Sequence, residues 1–103
     1  MREISESVER FNEKCKDVHL DFWTKYKYPV TIVSDRYHGA YSGGEFLAFP
    51  VHEWEVPYDH DGDDGTCMYF WNDVDSSFIG IGDTAQEALD NLCEKLKSKI
   101  DGH

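Results

Sequence analysis

The C-terminal segment carries an amphipathic helix whose beginning is marked in the sequence. From Ala85 to Ile100, apolar side chains recur at steps of three and four residues, which places them on one helical face. Thr84 and Glu87 form a capping box before this run, in which the Thr84 hydroxyl can accept a hydrogen bond from the Glu87 N–H. A helix with one apolar face must bury it, so the segment predicts a helix packed on a sheet or on another helix.

The N-terminal segment has a second apolar stripe, spaced by alternating steps of four and three residues. Its members are Ile4, Val8, Phe11, Cys15, Val18 and Phe22. The spacing predicts one helix. We expect it to end near residues 26–29, because Pro29 disfavours helical backbone at the residue before it.

Short β-branched and aromatic runs between these two helices predict an antiparallel sheet of about four strands. The runs are residues 30–34, 45–49, 66–71 and 77–81. Residues 52–56 predict an edge strand or an extended arm, and residues 59–65 have the composition of a loop. The expected fold class is α+β: one domain over residues 1–103, with an N-terminal helix, the sheet, and the C-terminal helix packed on one sheet face.

The run 66–71 is apolar on both of its faces, because Met68 and Phe70 alternate with Tyr69 and Trp71. A strand of this kind usually lies in the middle of a sheet that is covered on both sides. Two helices cover only one face. We therefore expect the other face to be free or to serve for self-association as a homo-oligomer.

The charge of the chain is strongly negative and uneven. The formal net charge is −11, and residues 28–82 carry ten acidic side chains against the single basic side chain of Arg36. Such a field repels DNA, RNA and anionic membranes, and it attracts basic protein surfaces. We expect neither direct nucleic-acid binding nor membrane association, although solubility alone also explains an acidic composition.

The three cysteines, Cys15, Cys67 and Cys93, are odd in number and far apart in the sequence. This pattern indicates free thiols in a reducing compartment rather than a disulfide framework. The sequence has no apolar N-terminal run and no apolar stretch near the roughly 18 residues of a membrane span. We therefore expect a cytoplasmic protein.

A glycine-rich stretch, SDRYHGAYSGGEF, follows the first predicted strand at residues 34–46. Glycines let backbone N–H groups approach an anion closely, and arginine can bind phosphate or carboxylate through two hydrogen bonds. Neighbouring aromatic rings can stack on a flat ring. The stretch therefore predicts a site for a nucleotide-like ligand. The candidate ligand-binding residues are Asp35, Arg36, Tyr37, Tyr41, Ser42, Gly43, Gly44 and, from the distant run 66–71, Trp71.

The same stretch is also consistent with a tight hairpin whose glycines take positive φ, with Arg36 paired to Asp35 or Glu45 at the surface. Its glycine spacing matches neither a P-loop nor a dinucleotide-binding fingerprint. Both interpretations stay open from the sequence.

The acidic loop offers a second alternative, because Asp59, Asp61 and Asp63 match the first ligand positions of a calcium-binding EF-hand loop. Asp64 and Phe70 stand where that loop has its glycine and its glutamate, and strands rather than helices are expected on either side. We expect no specific metal site.

A catalytic pair of Cys67 with His60 or His38 also lacks any sequence feature that fixes its geometry. We therefore expect a non-enzymatic protein with no catalytic residues and no cofactor.

Two resemblances add to these inferences. The residues FIGIGDTAQEALDNL, at positions 78–92, resemble the strand–turn–helix of HicB-type antitoxin domains, which implies a small sheet with a helix packed across it. Through SDRYHGAYSGG and the later GDD and FW, the chain resembles short uncharacterised proteins of bacteria, phages and mobile elements. Small acidic proteins from such sources often resemble anti-CRISPR and anti-restriction proteins, which implies an anti-defence function.

These observations lead to two functional hypotheses. The first is a phage or mobile-element counter-defence protein that sequesters a nucleotide-like signal molecule. The second is an acidic protein that mimics nucleic acid and inhibits a nuclease, or a CRISPR or restriction effector, by occupying its basic groove. The partner-facing carboxylates of the second hypothesis are Glu53, Glu55, Asp59, Asp61, Asp63 and Asp64. We prefer the first, because local chemistry is more specific than bulk charge.

Overall fold

The computed structural model describes the backbone of residues 4–101 and the side chains of residues 4–100, and it shows the expected α+β class. The helices in that part of the chain are α1 (Glu6–Cys15), α2 (Leu20–Tyr26), α3 (Asp64–Asp73) and α4 (Ala85–Asp101). The strands are β1 (Thr31–Ser34), β2 (Phe46–Phe49) and β3 (Gly80–Gly82). Short 3₁₀ helices lie at Glu53–Glu55, Tyr58–Asp61 and Ser76–Phe78. None of the helices in this range combines the length and the apolar character needed to cross a bilayer.

The three strands form one antiparallel sheet in the order β1–β2–β3. Leu47 of the central strand pairs with Val33 of β1 on one side and with Ile81 of β3 on the other. The strands predicted at residues 30–34 and 45–49 are confirmed as β1 and β2. β2 is therefore the central strand, with a partner along each edge.

Both faces of the sheet are covered. Leu47 and Phe49 of β2 belong to a buried cluster with side chains of α1 and α3, and Ala48 belongs to a second cluster with side chains of α2 and α4. The alternation follows from strand geometry, since successive side chains point to opposite faces. The expectation of a free sheet face was therefore wrong, because four helices cover the sheet instead of two.

The strand expected at residues 66–71 was also wrong: these residues lie in α3. The Asp63 carboxylate accepts a hydrogen bond from the Thr66 N–H at 2.9 Å and so caps the start of the helix. Cys67, Phe70 and Val74 are buried at steps of three and four residues, which is a helical spacing. Capping and burial thus outweigh the β-propensity of the aromatic side chains in this run.

The single N-terminal helix is instead a pair, since α1 ends at Cys15 and α2 begins at Leu20. Because of this break, the side of α2 that faces the core is not the side that a single continuous helix would bury. Trp23 is only 1% exposed, whereas Phe22, the expected core residue, is 52% exposed. The Trp23 indole N–H donates to the Pro29 carbonyl oxygen at 2.6 Å, which fixes α2 against the chain that leads into β1.

Within residues 4–101 the sheet has three strands rather than about four, because residues 66–71 are helical. Two further segments also differ from expectation. Residues 52–56 form a 3₁₀ helix at Glu53–Glu55 rather than an edge strand, with the His52 N–H bonded to the Glu55 carboxylate at 3.1 Å. Residues 77–81 contribute only their last part to a strand, because Ser76–Phe78 is a 3₁₀ helix. The expected loop at 59–65 contains the end of one 3₁₀ helix and the start of α3.

The C-terminal helix and its packing on the sheet are confirmed. The Thr84 hydroxyl accepts a hydrogen bond from the Glu87 N–H at 3.0 Å. The contact between α4 and β3 is so close that a Cβ on Gly80 would lie 2.1 Å from the Ala88 carbonyl oxygen. Glycine in β3 is therefore what allows α4 to reach the sheet.

Candidate functional site

The candidate site is the loop of residues 35–45, which connects β1 to β2. Its ends are held together where the Asp35 N–H donates to the Glu45 carbonyl oxygen at 2.7 Å. A compact loop with close ends, packed by its own side chains, has the character of an Ω-loop, a kind of loop that is frequently functional. We call residues 35–45 the Arg36 loop.

Asp35 organises this loop from the inside. Its side chain is 4% exposed, and its carboxylate accepts hydrogen bonds from the Tyr37 N–H at 3.0 Å, the Gly39 N–H at 2.9 Å and the Ser42 hydroxyl at 2.5 Å. Backbone N–H groups of this loop were expected to contact a ligand anion. The loop does bind an anion through them, and that anion is its own Asp35.

Two of the predicted glycine positions differ in their surroundings. Gly43 has φ +99°, and a Cβ there would have no neighbour within 4 Å. A Cβ on Gly44 would lie 2.7 Å from the Ile81 side chain and 2.8 Å from the Gly82 carbonyl oxygen. Gly44 is therefore needed for packing against β3, whereas Gly43 leaves bare backbone open to a partner.

Arg36 is exposed and is held in place by main-chain acceptors. Its Nη1 donates to the carbonyl oxygens of Asp61 at 2.9 Å and Gly62 at 3.1 Å. Its guanidinium carbon lies 5.4 Å from the centre of the Tyr37 ring. Among the described residues, Nε and Nη2 have no hydrogen-bond partner and the guanidinium forms no ion pair. The pairing of Arg36 with Asp35 or Glu45 is thus not the one observed.

The two tyrosines of the loop contact the same neighbouring segment. The Tyr37 hydroxyl donates to the Gly62 carbonyl oxygen at 2.7 Å, and the Tyr41 hydroxyl donates to an Asp64 carboxylate oxygen at 2.9 Å. The rings lie 5.4 Å apart at 83°. The hydrogen bond to Asp64 and partial burial raise the pKa of Tyr41, so its hydroxyl stays protonated as a donor. Both tyrosines therefore attach the loop to the beginning of α3.

Trp71, the remaining predicted ligand-binding residue, lies on α3 and not on a strand. It packs edge-on against Phe70, with ring centres 5.0 Å apart, and borders the core cluster beneath β2. Its buried indole N–H has no hydrogen-bond partner among the described residues. The N–H lies near the Cys67 thiol without forming a hydrogen bond to it. This contact works to lower the pKa of the thiol, against the larger effect of burial, which raises it.

The predicted acidic patch divides into two groups. Asp59 is buried and accepts the Ser7 hydroxyl at 2.5 Å, and Glu55 pairs with the Lys14 ammonium at 3.1 Å. The exposed members are Glu53, Asp61, Asp63 and Asp64. Within residues 4–100, no three His, Cys, Asp or Glu side chains are placed together to hold a metal ion.

His60 and Cys67 both lie in the core. His60 packs between the rings of Phe49 and Phe70, at centre distances of 5.6 and 6.1 Å, and its Nδ1 has no partner among the described residues. Burial lowers the pKa of His60, and it raises the pKa of Cys67 to about 11. Both shifts favour the neutral forms, and a neutral thiol is a poor nucleophile.

Sequence reasoning missed a second candidate, a cleft between α2 and the segments that flank β1 and β2. It has a volume of about 280 Å³, and Phe22, Trp23, Tyr28 and His52 line it together with polar residues. The sequence holds one signal for it, since Tyr28 of the lining lies outside every apolar stripe. Large aromatic side chains without a place in a core stripe are candidates for a binding surface.

Comparison of the chain with protein-family models, with curated proteins and with solved structures gave no match. The resemblances to HicB-type antitoxins and to anti-defence proteins therefore stay predictions.

Proposed function

We propose that the protein is a non-enzymatic binding protein that sequesters a nucleotide-like small molecule, with Arg36 contacting its phosphate. The observation that carries this proposal is the Arg36 loop itself. A loop of two residues is enough to join antiparallel neighbours such as β1 and β2. This chain instead builds a long, internally bonded loop, and the loop displays the one basic side chain of residues 28–82.

The geometry of Arg36 suits an anion. Because Nη1 is bound to the carbonyl oxygens of Asp61 and Gly62, the guanidinium is held before a ligand arrives. Nε and Nη2 lie on one side of the planar group, so together they can bind two oxygens of a phosphate. A group that is already immobilised loses less entropy on binding.

The surroundings of Arg36 suit the rest of a nucleotide. Tyr41 is partly exposed and offers a ring for stacking on a base. Gly43 presents no side chain, so a ligand can approach the main chain there. The Tyr41 ring and the bare backbone at Gly43 both lie in the Arg36 loop, and this supports the proposal.

The acidic background works against an anion, because the exposed carboxylates of Asp61, Asp63 and Asp64 lie beside the loop. We therefore propose that a second copy of the chain completes the site and adds its own Arg36. The counter-defence role belongs to the same proposal, and it rests on the sequence resemblance.

Isothermal titration calorimetry tests the proposal with a panel of mononucleotides, cyclic dinucleotides and ADP-ribose-type nucleotides. We expect one class to bind, and we expect Arg36→Ala to weaken that binding by about tenfold or more, since a hydrogen-bonded charge contributes about 1.5–3 kcal/mol. Arg10→Ala is the matched control, because Arg10 is exposed on α1 and, among the described residues, pairs only with Glu6. Size-exclusion chromatography with and without the bound nucleotide tests whether a second copy of the chain joins the complex.

Circular dichroism must first show that Arg36→Ala is folded, because the variant also loses the contacts to Asp61 and Gly62. Arg36→Lys provides a second comparison, since it keeps the charge but cannot bind two oxygens side by side. Absence of binding across the panel, or equal affinity in the Arg36→Ala and Arg10→Ala proteins, contradicts the proposal.

The nucleic-acid-mimic hypothesis keeps one specific observation in its favour. Glu53, Asp61, Asp63 and Asp64 remain exposed, and a basic protein groove could contact them. Capture of purified nucleases or effector complexes at low and high salt tests it. Salt-sensitive capture that is lost when Asp61, Asp63 and Asp64 are changed to asparagine supports it, and salt-insensitive or absent capture opposes it.

A further inference from the structure

The cleft beside α2 is separate from the Arg36 loop, since none of its lining residues comes from residues 35–45. Its volume of about 280 Å³ lies just below the range of about 300–1,000 Å³ that is usual for drug-sized ligands. It therefore suits a small guest. The helix α2 and residues 14–19 before it form one wall, and residues 28–29 and 50–55 form the others.

Aromatic rings dominate the cleft. Tyr28 is 59% exposed, and its ring meets the His52 ring at 77° with centres 5.5 Å apart. His52 also stacks on Trp54, at 4.5 Å and 7°. Phe22 adds a half-exposed ring from α2, and the buried Trp23 forms part of the lining, with its N–H already bonded to a carbonyl. Rings at steep angles around one space can turn their electron-rich faces to a single guest, as in aromatic cages for methylated ammonium groups.

The charges at the cleft favour a positive guest. Lys14 is the one lysine or arginine of the lining, and its ammonium is paired with Glu55 at 3.1 Å. Burial works against ionisation of Glu55, but the His52 N–H and Lys14 lower its pKa overall, so it is charged at neutral pH. The Asp17 carboxylate has no hydrogen-bond or ion-pair partner among the described residues. Among the described residues of the lining, one negative group and no lysine or arginine is thus unpaired, in a chain of net charge −11.

We propose that this cleft binds a small organic cation whose nitrogen carries apolar groups, of the quaternary-ammonium class. The rings of Phe22, Tyr28 and His52 attract the cation through their faces, and they bury its methyl groups. Asp17 supplies the opposite charge. A phosphate-bearing guest is disfavoured here, because Asp17 repels it and Lys14 is already neutralised. The site does not depend on the function proposed for the Arg36 loop.

The proposal is tested by titrating the full chain with choline and with its uncharged isostere 3,3-dimethyl-1-butanol. Calorimetry and tryptophan fluorescence measure the binding of each. The two probes have the same shape and differ in the charge of the central atom. We expect choline to bind about tenfold or more tightly than the alcohol, which is the size of a single cation–π contact of moderate strength. Equal affinities show a merely apolar cleft and overturn the proposal, as does the absence of choline binding.

Two surface substitutions identify the site. Phe22→Leu keeps an apolar side chain but removes the ring, and Asp17→Asn removes the charge; both positions are exposed, so the fold should survive. We expect each to weaken choline binding several-fold. Tyr58→Leu is the matched control, because Tyr58 is 76% exposed and lies outside the cleft. Unchanged choline affinity in both the Phe22→Leu and Asp17→Asn proteins overturns the assignment, even if choline binds elsewhere on the chain.

Discussion

The Asp35 carboxylate accepts the Ser42 hydroxyl at 2.5 Å, and this contact closes the Arg36 loop from within. The neighbouring residue, Arg36, points outward and keeps part of its guanidinium unused. The Asp35 side chain thus fixes the backbone that carries the exposed side chain of Arg36. The loop is stable because its donors are already satisfied, and any ligand has to bind what remains exposed.

Asp35→Asn should destabilise the protein by about 2 kcal/mol, because an amide NH₂ group then faces donors that the carboxylate had accepted. Urea unfolding at neutral pH measures the change. Asp61→Asn is the control: Arg36 binds the Asp61 carbonyl and not its exposed carboxylate, so we expect a change within about 0.5 kcal/mol. An Asp35→Asn protein as stable as Asp61→Asn contradicts the organising role of Asp35.

The stability of the protein should fall when the pH is lowered through the titration range of histidine, and His60 should be one cause. Burial holds the pKa of folded His60 below its usual value of 6.5, while the nearby acids Asp61, Asp35 and Asp59 oppose this shift. The unfolded chain therefore binds the proton more readily. The contribution of neutral His60 is complete above about pH 6.5 and is lost as the pH falls towards the folded pKa.

His60→Phe should flatten this dependence, because phenylalanine cannot be protonated and fits between Phe49 and Phe70. Urea midpoints between about pH 7.5 and 5.5, a range above most carboxylate titrations, compare the two proteins. At neutral pH the substitution should cost less than about 1.5 kcal/mol. Parallel pH profiles for wild type and variant count against a buried neutral His60.

Gly80→Ala should be strongly destabilising, by about 3 kcal/mol, because the new methyl group collides with the Ala88 carbonyl oxygen and with Leu92 in α4. Gly65→Ala provides the opposite case. A Cβ there has no neighbour closer than 3.7 Å, and alanine favours the helical backbone of α3 by about 0.5–1 kcal/mol. Thermal melts followed by circular dichroism should move in opposite directions, and a harmless Gly80→Ala is incompatible with the close packing of α4 on β3.

The three cysteines should differ in their reaction with a thiol reagent such as DTNB. Burial raises the pKa of all three thiols, but Cys15 and Cys67 are buried, whereas Cys93 is partly exposed on α4. In the native protein at about pH 8 we expect Cys93 to react first, and Cys93→Ser should remove that first phase. Denaturant should release all of the thiols, and rapid native reaction of Cys67 contradicts its burial.

The regular parts of the fold could be predicted from local sequence. The apolar spacing and the Thr84 cap identified α4, and β-branched residues identified β1. The structure also obeys the rule that a strand apolar on both faces lies in a covered sheet, but the strand is β2 and not residues 66–71. The rule was applied to the wrong segment because the five apolar and aromatic residues in a row at 67–71 carry no periodicity of their own.

The contacts of the site could not be predicted in the same way. The spacing of Cys67, Phe70 and Val74 and the cap at Asp63 were available signals for α3. The hydrogen bonds from Arg36 to the carbonyls of Asp61 and Gly62 had no such signal, because they join segments distant in sequence through main-chain atoms that every residue possesses. The cleft likewise depends on the break between α1 and α2, which rotates Phe22 outward.

Because both faces of β2 are buried, folding of this chain does not depend on its assembly with a second copy, two properties that are often coupled in small α+β proteins. A sheet with one bare face can complete its core only by dimerising, so such a chain melts when its copies are diluted apart. Here the helices of one chain cover both sheet faces over the described residues. Any assembly must therefore use sheet edges, loops or the outer sides of helices. Surface substitutions could then change the number of copies in an assembly while leaving each copy folded.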